Sequence, residues 1–312
     1  MRSPLLATLG LLLVTSTAHA DESAPVTKLA ASTGVYATQD LGDSVSCGST
    51  NRGALSDAVR LPNSGPGYVM ANPWRSRGSN YGTSELVSLI QRSSAAVALA
   101  HAGSQLSVAD LSKKRGGAIA AHRSHQNGRD VDLIYYAMDS NGDPFYPDSH
   151  MAYYTSTGQA TYAKAPIFVS DIPVRYFDMK RNWALVRSMM LDAEVEVEYI
   201  FVSTRVKRWL LAYAVETKES PAIIKAATKL LHAPREVKGH NDHMHVRITC
   251  SADDSAHGSC RTASARKPRR AKKWNRIMVC PSVEIGTPAM LARPELPARP
   301  VLPELPEFYE GD

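Results

Sequence analysis

Cysteine is scarce in this chain: four residues, none of them in a C-x-x-C pair. That absence excludes thioredoxin-type redox chemistry and a thiolate zinc knuckle. Beyond residue 20 no apolar run approaches the roughly 18 residues that a membrane helix requires, so no membrane span is expected. No segment recurs at a fixed period, which excludes a solenoid. A serine acyl-enzyme would want an S-x-x-K box together with KTG, and KTG is missing; Ser264-Ala-Arg-Lys267 matches the first by letters alone, inside a basic linker.

The N-terminus has the pattern of an export signal. Arg2 gives the positive region, Leu5 to Val14 the apolar one, and Ala18-His19-Ala20 the cleavage site. About ten apolar residues are too few to cross a bilayer of about 30 Å. No cysteine follows Ala20 to carry a lipid. A secreted, periplasmic protein cleaved after Ala20 is therefore expected. Cys47, Cys250, Cys260 and Cys280 suit an oxidising compartment, and four cysteines allow three pairings. The simplest is local, Cys250 with Cys260, which leaves Cys47 with Cys280. On the chain-entropy account the long loop would contribute about 4–5 kcal/mol and the short one roughly 3.

The formal charge of +6 falls to +5 once Arg2 leaves. Much of the excess is local: Arg261, Arg266, Lys267, Arg269, Arg270, Lys272 and Lys273 lie within thirteen residues. An exported protein rarely meets nucleic acid, so no nucleic-acid partner is expected. Contact with an anionic envelope polymer and a merely solvated linker both remain open. Pro294-Glu-Leu-Pro297 and Pro303-Glu-Leu-Pro306 mark an extended tail that cannot build a core. The organisation expected is signal 1–20, polar leader 21–46, one domain over 47–280 with a basic loop at 251–276, and a proline-rich tail over 281–312.

Within that domain Asn63-Ser-Gly-Pro-Gly67 and Ser76-Arg-Gly-Ser79 read as loops. Ser84 to Ala100 has helical apolar spacing, with Thr83 or Ser84 as N-cap. Further helices are expected over Arg181 to Leu191, Val206 to Val215, and from Ser220-Pro221 to Leu231. Strands are expected over Leu106 to Leu111, Asp130 to Tyr136, Val195 to Ser203 and Met244 to Thr249. Helices and strands alternate irregularly. The fold class expected is α+β, a mainly antiparallel central sheet flanked by helices, with hairpin-like pairs rather than βαβ crossovers.

Two windows carry the chemistry: His122-Arg-Ser-His125-Gln-Asn-Gly-Arg-Asp130-Val-Asp132 and His240-Asn-Asp-His243-Met-His245 hold five of the ten histidines. Each runs into a strand, where residues two apart share a face. His243 and His245 therefore point one way, as do Asp130 and Asp132. If those strands are neighbours, imidazoles and a carboxylate converge, the donor set of a catalytic Zn²⁺ with one position left for water. A surface patch of polar residues explains Asn127 and Gly128 but not five histidines. His101, His150, His232 and His257 stand alone and are read as ordinary core or surface residues.

Ser124-His-Gln-Asn-Gly-Arg-Asp-Val-Asp132 together with His240-Asn-Asp-His-Met-His-Val-Arg247 closely resembles the penicillin-insensitive murein endopeptidases, within the wider group of lysostaphin-like, D-Ala-D-Ala-cleaving and hedgehog-like zinc folds. The likeness extends to Gly116-Gly117 and to Ser84 through Arg92, so it covers about Cys47 to Cys280. It implies one catalytic zinc ion on the sheet, held by His125, Asp132 and His245, with His243 as the catalytic histidine. His122 and His240 match further histidines near that site. Where this family usually has an apolar residue, most often leucine, this chain has Arg129; on the strand pattern its side chain faces away from the metal, and if it lay over the cleft instead, substrate choice could differ.

The implied activity is that of a periplasmic zinc D,D-endopeptidase that cuts D-alanyl–meso-diaminopimelate cross-links in peptidoglycan. Asp130 would orient a ligand imidazole or cap its strand, and Arg247 would meet a substrate carboxylate or form a structural salt bridge. Two rivals share the residues: a zinc D,D-carboxypeptidase acting on murein pentapeptides, and a catalytically silent wall-binding protein with structural zinc.

Overall fold

In the computed structural model, residues 43–120, 122–145, 151–161, 174–233, 240–256, 260–262 and 280 are described. The expected signal sequence, most of the expected leader, His150, His257, the basic run beyond residue 262 and the proline-rich segment lie outside them.

The domain is α+β. Its main sheet has seven strands: β1 (Ser64–Gly65), β2 (Tyr68–Met70), β3 (Leu106–Val108), β4 (Asp130–Ile134), β5 (Val197–Phe201), β6 (Leu231–His232) and β7 (His243–Ile248), in the order β6-β5-β7-β4-β3-β2-β1. The central pairs β5–β7, β7–β4 and β4–β3 are antiparallel, as is β2–β1. Two pairs depart from the expected hairpins: β2–β3 and β5–β6 are parallel. Parallel neighbours need a crossover. Helix α1 (Ser84–Ala100) supplies the first; α3 (Thr204–Glu216) and α4 (Pro221–Leu230) supply the second.

Alternation along the central strands separates two faces. Val131, Leu133, Met244, Val246 and Ile200 are fully buried and join one core with Leu86, Ile90, Leu185, Val186 and Leu210 of the helices. Helix α1 starts where Thr83 accepts a hydrogen bond from the Leu86 amide, and α4 where Ser220 accepts from Ile223 with Pro221 at the first turn. Such caps contribute about 1 kcal/mol each. Helix α2 (Met179–Met190) is capped the same way by Asp178.

An N-terminal hairpin, Val45–Ser49 with Arg52–Ser56, backs the first histidine window. The Gln126 amide donates to the Thr50 carbonyl, and the Ser46 hydroxyl to the Asn127 carbonyl. Cys47 is bonded to Cys280 and Cys250 to Cys260, and a short helix (Ala252–Ala256) occupies the loop closed by the second pair. From that helix Asp254 accepts the Ser46 amide at 3.0 Å, which ties the hairpin down. Arg129 is buried on the side away from the histidines. It donates to the carbonyls of Ile248 and Arg261, 2.9 Å each, so it holds the C-terminal segment rather than a cleft.

Candidate metal centre

Register brings the two windows together. In the β4–β7 ladder His245 is directly opposite Asp132, and Arg247 opposite Asp130. Opposed residues in an antiparallel pair have their side chains on one face, about 5 Å apart at Cβ. On the other side of β7, Phe201 is opposite His245. The face turned from the core is thus built of carboxylates, imidazoles, Arg247 and the rings of Phe201 and Tyr199.

The buried carboxylate of Asp132 is the hub. Its Oδ1 lies 3.0 Å from Nδ1 of His245, 3.3 Å from Nε2 of His125 and 3.6 Å from Nε2 of His243. Its Oδ2 lies 3.6 Å from Nδ1 of His122. Among the described residues, the donor atoms of His122, His125 and Asp132 all fall within 4.8 Å of one another, a group able to hold a metal ion. His245 is outside that trio, although its ring centroid is 4.7 Å from that of His125.

Each ring is oriented from behind. Nδ1 of His125 donates to the Leu111 carbonyl at 3.0 Å. Its Nε2 is buried and has no hydrogen-bond partner among the described residues, with Oδ1 of Asp132 3.3 Å away. A buried unpaired nitrogen is costly unless something fills its lone pair. Nε2 of His245 donates to Asp130 at 3.1 Å, and Asp130 also accepts from Arg247 at 2.7 Å and from the His125 amide at 2.9 Å. Nε2 of His122 meets the buried Asp110 at 3.0 Å; Asp110 is held in turn by Arg77 and Ser79. Nδ1 of His243 lies 2.7 Å from Asp242. His240 stacks on Phe201 and lies 5.3 Å from His243, centroid to centroid.

The backbone is strained here. His125 and His240 have φ of 66° and 62°, in the left-handed region. Such a conformation costs of order 1 kcal/mol or more in a residue with a side chain and persists only where its surroundings over-determine it. Around His125 they do: besides the two hydrogen bonds above, its carbonyl accepts from the Ser112 hydroxyl at 2.7 Å. Gly116, with φ 69°, lets the preceding loop close against the window, since a Cβ there would strike the backbone of Gln126 and Ala54.

Charge accounts for the site's needs. Burial would raise Asp132 and Asp130, but the imidazoles around them, with Arg247 beside Asp130, hold both well below the usual carboxylate range. Burial pulls His245 down, yet the Asp130 charge and its hydrogen bond, with those of Asp132, push it up to about 9. His243 is raised for the same reasons, by Asp132 and Asp242. His240 goes the other way, to about 4, through burial and then its neighbours His243 and His245. Two buried carboxylates thus require positive charge close by. Imidazole protons meet that requirement, and a divalent cation would meet it in their place, releasing them.

The ligand, catalytic and near-site candidates read from the sequence lie in this one cluster: His122, His125, Asp130, Asp132, His240, His243 and His245. Sequence reasoning missed Asp110, Asp242 and the Leu111 carbonyl, which orient the rings. Of the two roles open to Arg247, the salt bridge to Asp130 is the one present.

The fold and donor set define a class, an α+β domain whose central antiparallel strands present a histidine–carboxylate group able to hold a metal ion. The profile of one family, described as penicillin-insensitive murein endopeptidase, matches residues 46–273, and the chain belongs to that family. Two curated proteins called penicillin-insensitive murein endopeptidase are similar to it. The one from Haemophilus influenzae is 28% identical over 213 residues, 67% of this chain and 64% of its own length. The one from Klebsiella pneumoniae is 28% identical over 218 residues, 69% and 70% respectively. The chain thus spans about two thirds of the length of these relatives.

Proposed function

We propose that this chain is a periplasmic zinc-dependent endopeptidase that hydrolyses D-alanyl–meso-diaminopimelate cross-links in peptidoglycan. The observation that carries the reading is the buried, unpaired Nε2 of His125 aimed at Asp132, in a chain of the murein endopeptidase family. Two imidazoles and a carboxylate are a zinc donor set. We assign His125, Asp132 and His245 as the ligands. Both rings face the same oxygen, Oδ1, and both have their far nitrogen engaged, the arrangement that orients ligand imidazoles. His122 faces Oδ2 and is the more exposed, so we place it beside the ion.

When bound, zinc would lower the pKa of a water to about 7 and polarise the scissile carbonyl. The chain's own residues do the rest. His243 presents Nε2 toward the metal side and can take the proton of the attacking water or hydrogen-bond to the developing oxyanion. Asp130 keeps His245 turned toward the ion. Arg247, already held by Asp130, is poorly placed to receive a terminal carboxylate, which favours the endopeptidase over the carboxypeptidase.

Purified muropeptide dimers and pentapeptide monomers, digested side by side with zinc, separate the two. The dimers should fall to monomers while the pentapeptides keep their terminal D-alanine. Release of free D-alanine from the pentapeptides with dimers intact would make the protein a carboxypeptidase. Binding to sacculi with no fragment released would make it a silent wall-binding protein.

A further inference from the structure

The residue before β7 is Asp242, and its carboxylate faces two groups. Oδ1 lies 2.7 Å from Nδ1 of His243, and the Tyr153 hydroxyl is near enough for the Asp242 charge to hold it above its usual range. Tyr153 comes from a small hairpin, Tyr153–Tyr154 with Ala160–Thr161, separate from the main sheet. The turn that carries Asp242 is pinned by Tyr135, whose hydroxyl donates to the His240 carbonyl at 2.9 Å, and by the Ser203 amide, which donates to the same carbonyl at 3.0 Å.

An ionised carboxylate only accepts, so the Asp242 contact places a proton on Nδ1 of His243. A neutral imidazole carries a single N–H. Its other nitrogen, Nε2, then keeps its lone pair, and that nitrogen is the one turned toward Asp132. If the ring turned over or changed tautomer, it would lose a charge-assisted hydrogen bond. We propose that Asp242 is a positioning residue that selects the working tautomer of His243, and that Tyr153 is the outer tether that holds Asp242 in place. The contribution to turnover rests on His243 acting at the reacting groups, as above; the pairing itself does not. Both residues act through His243.

Protein with ¹⁵N-labelled histidine rings, studied by long-range ¹H–¹⁵N correlation in alkaline buffer with and without Zn²⁺, reads the tautomer directly. His243 should be in the Nδ1–H form. In Asp242→Ala it should move to the Nε2–H form or a mixture. Zinc content should stay unchanged, and kcat on muropeptide dimers should fall by about 10²-fold, the lower end of what an acid–base group contributes, with KM little altered. Tyr153→Phe removes one hydroxyl from a partly exposed ring, so folding is not at risk; it should shift tautomer and kcat the same way by less. An unchanged Nδ1–H signal in Asp242→Ala, or loss of zinc in parallel with activity, would overturn the proposal. If the parent protein cleaves no dimer at all, the endopeptidase reading fails, while the tautomer shift still decides the Asp242–His243 pairing.

Discussion

Alanine in place of His245 should leave the protein without stoichiometric zinc. His245 is buried, faces Oδ1 of Asp132 at 3.0 Å and is locked from behind by Asp130. Its removal leaves two ligands where a zinc site needs three or four. The loss should exceed the roughly 10–100-fold in affinity that deleting an outer partner of a ligand costs. Asp130→Asn is that milder change and should retain zinc more weakly. Elemental analysis after dialysis, with circular dichroism to verify folding, makes the comparison. Near-normal zinc in His245→Ala would sink the assignment. If His122→Ala were instead the variant that emptied, the ligands would be the compact trio His122, His125 and Asp132.

His243→Ala should do the opposite: keep its zinc and lose turnover, by roughly 10²–10⁴-fold. His243 is 3.6 Å from Oδ1 of Asp132, further than His125 or His245, and its Nδ1 is already taken by Asp242. It is placed to act beside the ion rather than to hold it. The check is kcat on muropeptide dimers at saturating zinc, with metal content measured on the same sample. Activity within a few-fold of the parent would remove His243 from the mechanism.

These contrasts were legible in the sequence to different depths. Spacing alone puts Asp130 with Asp132, and His243 with His245, on common strand faces, because alternation is a local property. That the two strands are neighbours, with Asp132 opposite His245, is a matter of register, which no local pattern prints. The four long helices were read to within a few residues, since Thr83 and Ser220 are caps with a local mechanism; Asp178, which caps α2, was not read. Strand β2 was not. Tyr68–Met70 is three residues beside Asn63-Ser-Gly-Pro-Gly67, which reads as a loop yet supplies β1 (Ser64–Gly65), and what makes Tyr68–Met70 a strand is pairing with Leu106–Val108. The parallel crossovers went unread for the same reason.

Within the site the ligand-type residues announce themselves by chemistry, whereas their supports do not. Asp110 lies at the end of an apolar run and reads as part of a strand; only the fold brings it to His122. The Leu111 carbonyl has no sequence signature at all. An acidic residue inside an otherwise apolar stretch, or directly before a histidine pair as Asp242 is, was the available signal. Arg129 shows the converse. Its direction followed from alternation, but its partners, the carbonyls of Ile248 and Arg261, lie more than a hundred residues away.

Mass spectrometry of the fragments released from purified sacculi, with zinc and with a chelator, tests the central claim most directly. With zinc, cross-linked dimers should be cut to monomers at the D-alanyl–diaminopimelate bond; with the chelator, release should stop and return on adding Zn²⁺. Fragments released equally in both, or none in either, would contradict a zinc-dependent endopeptidase built around Asp132.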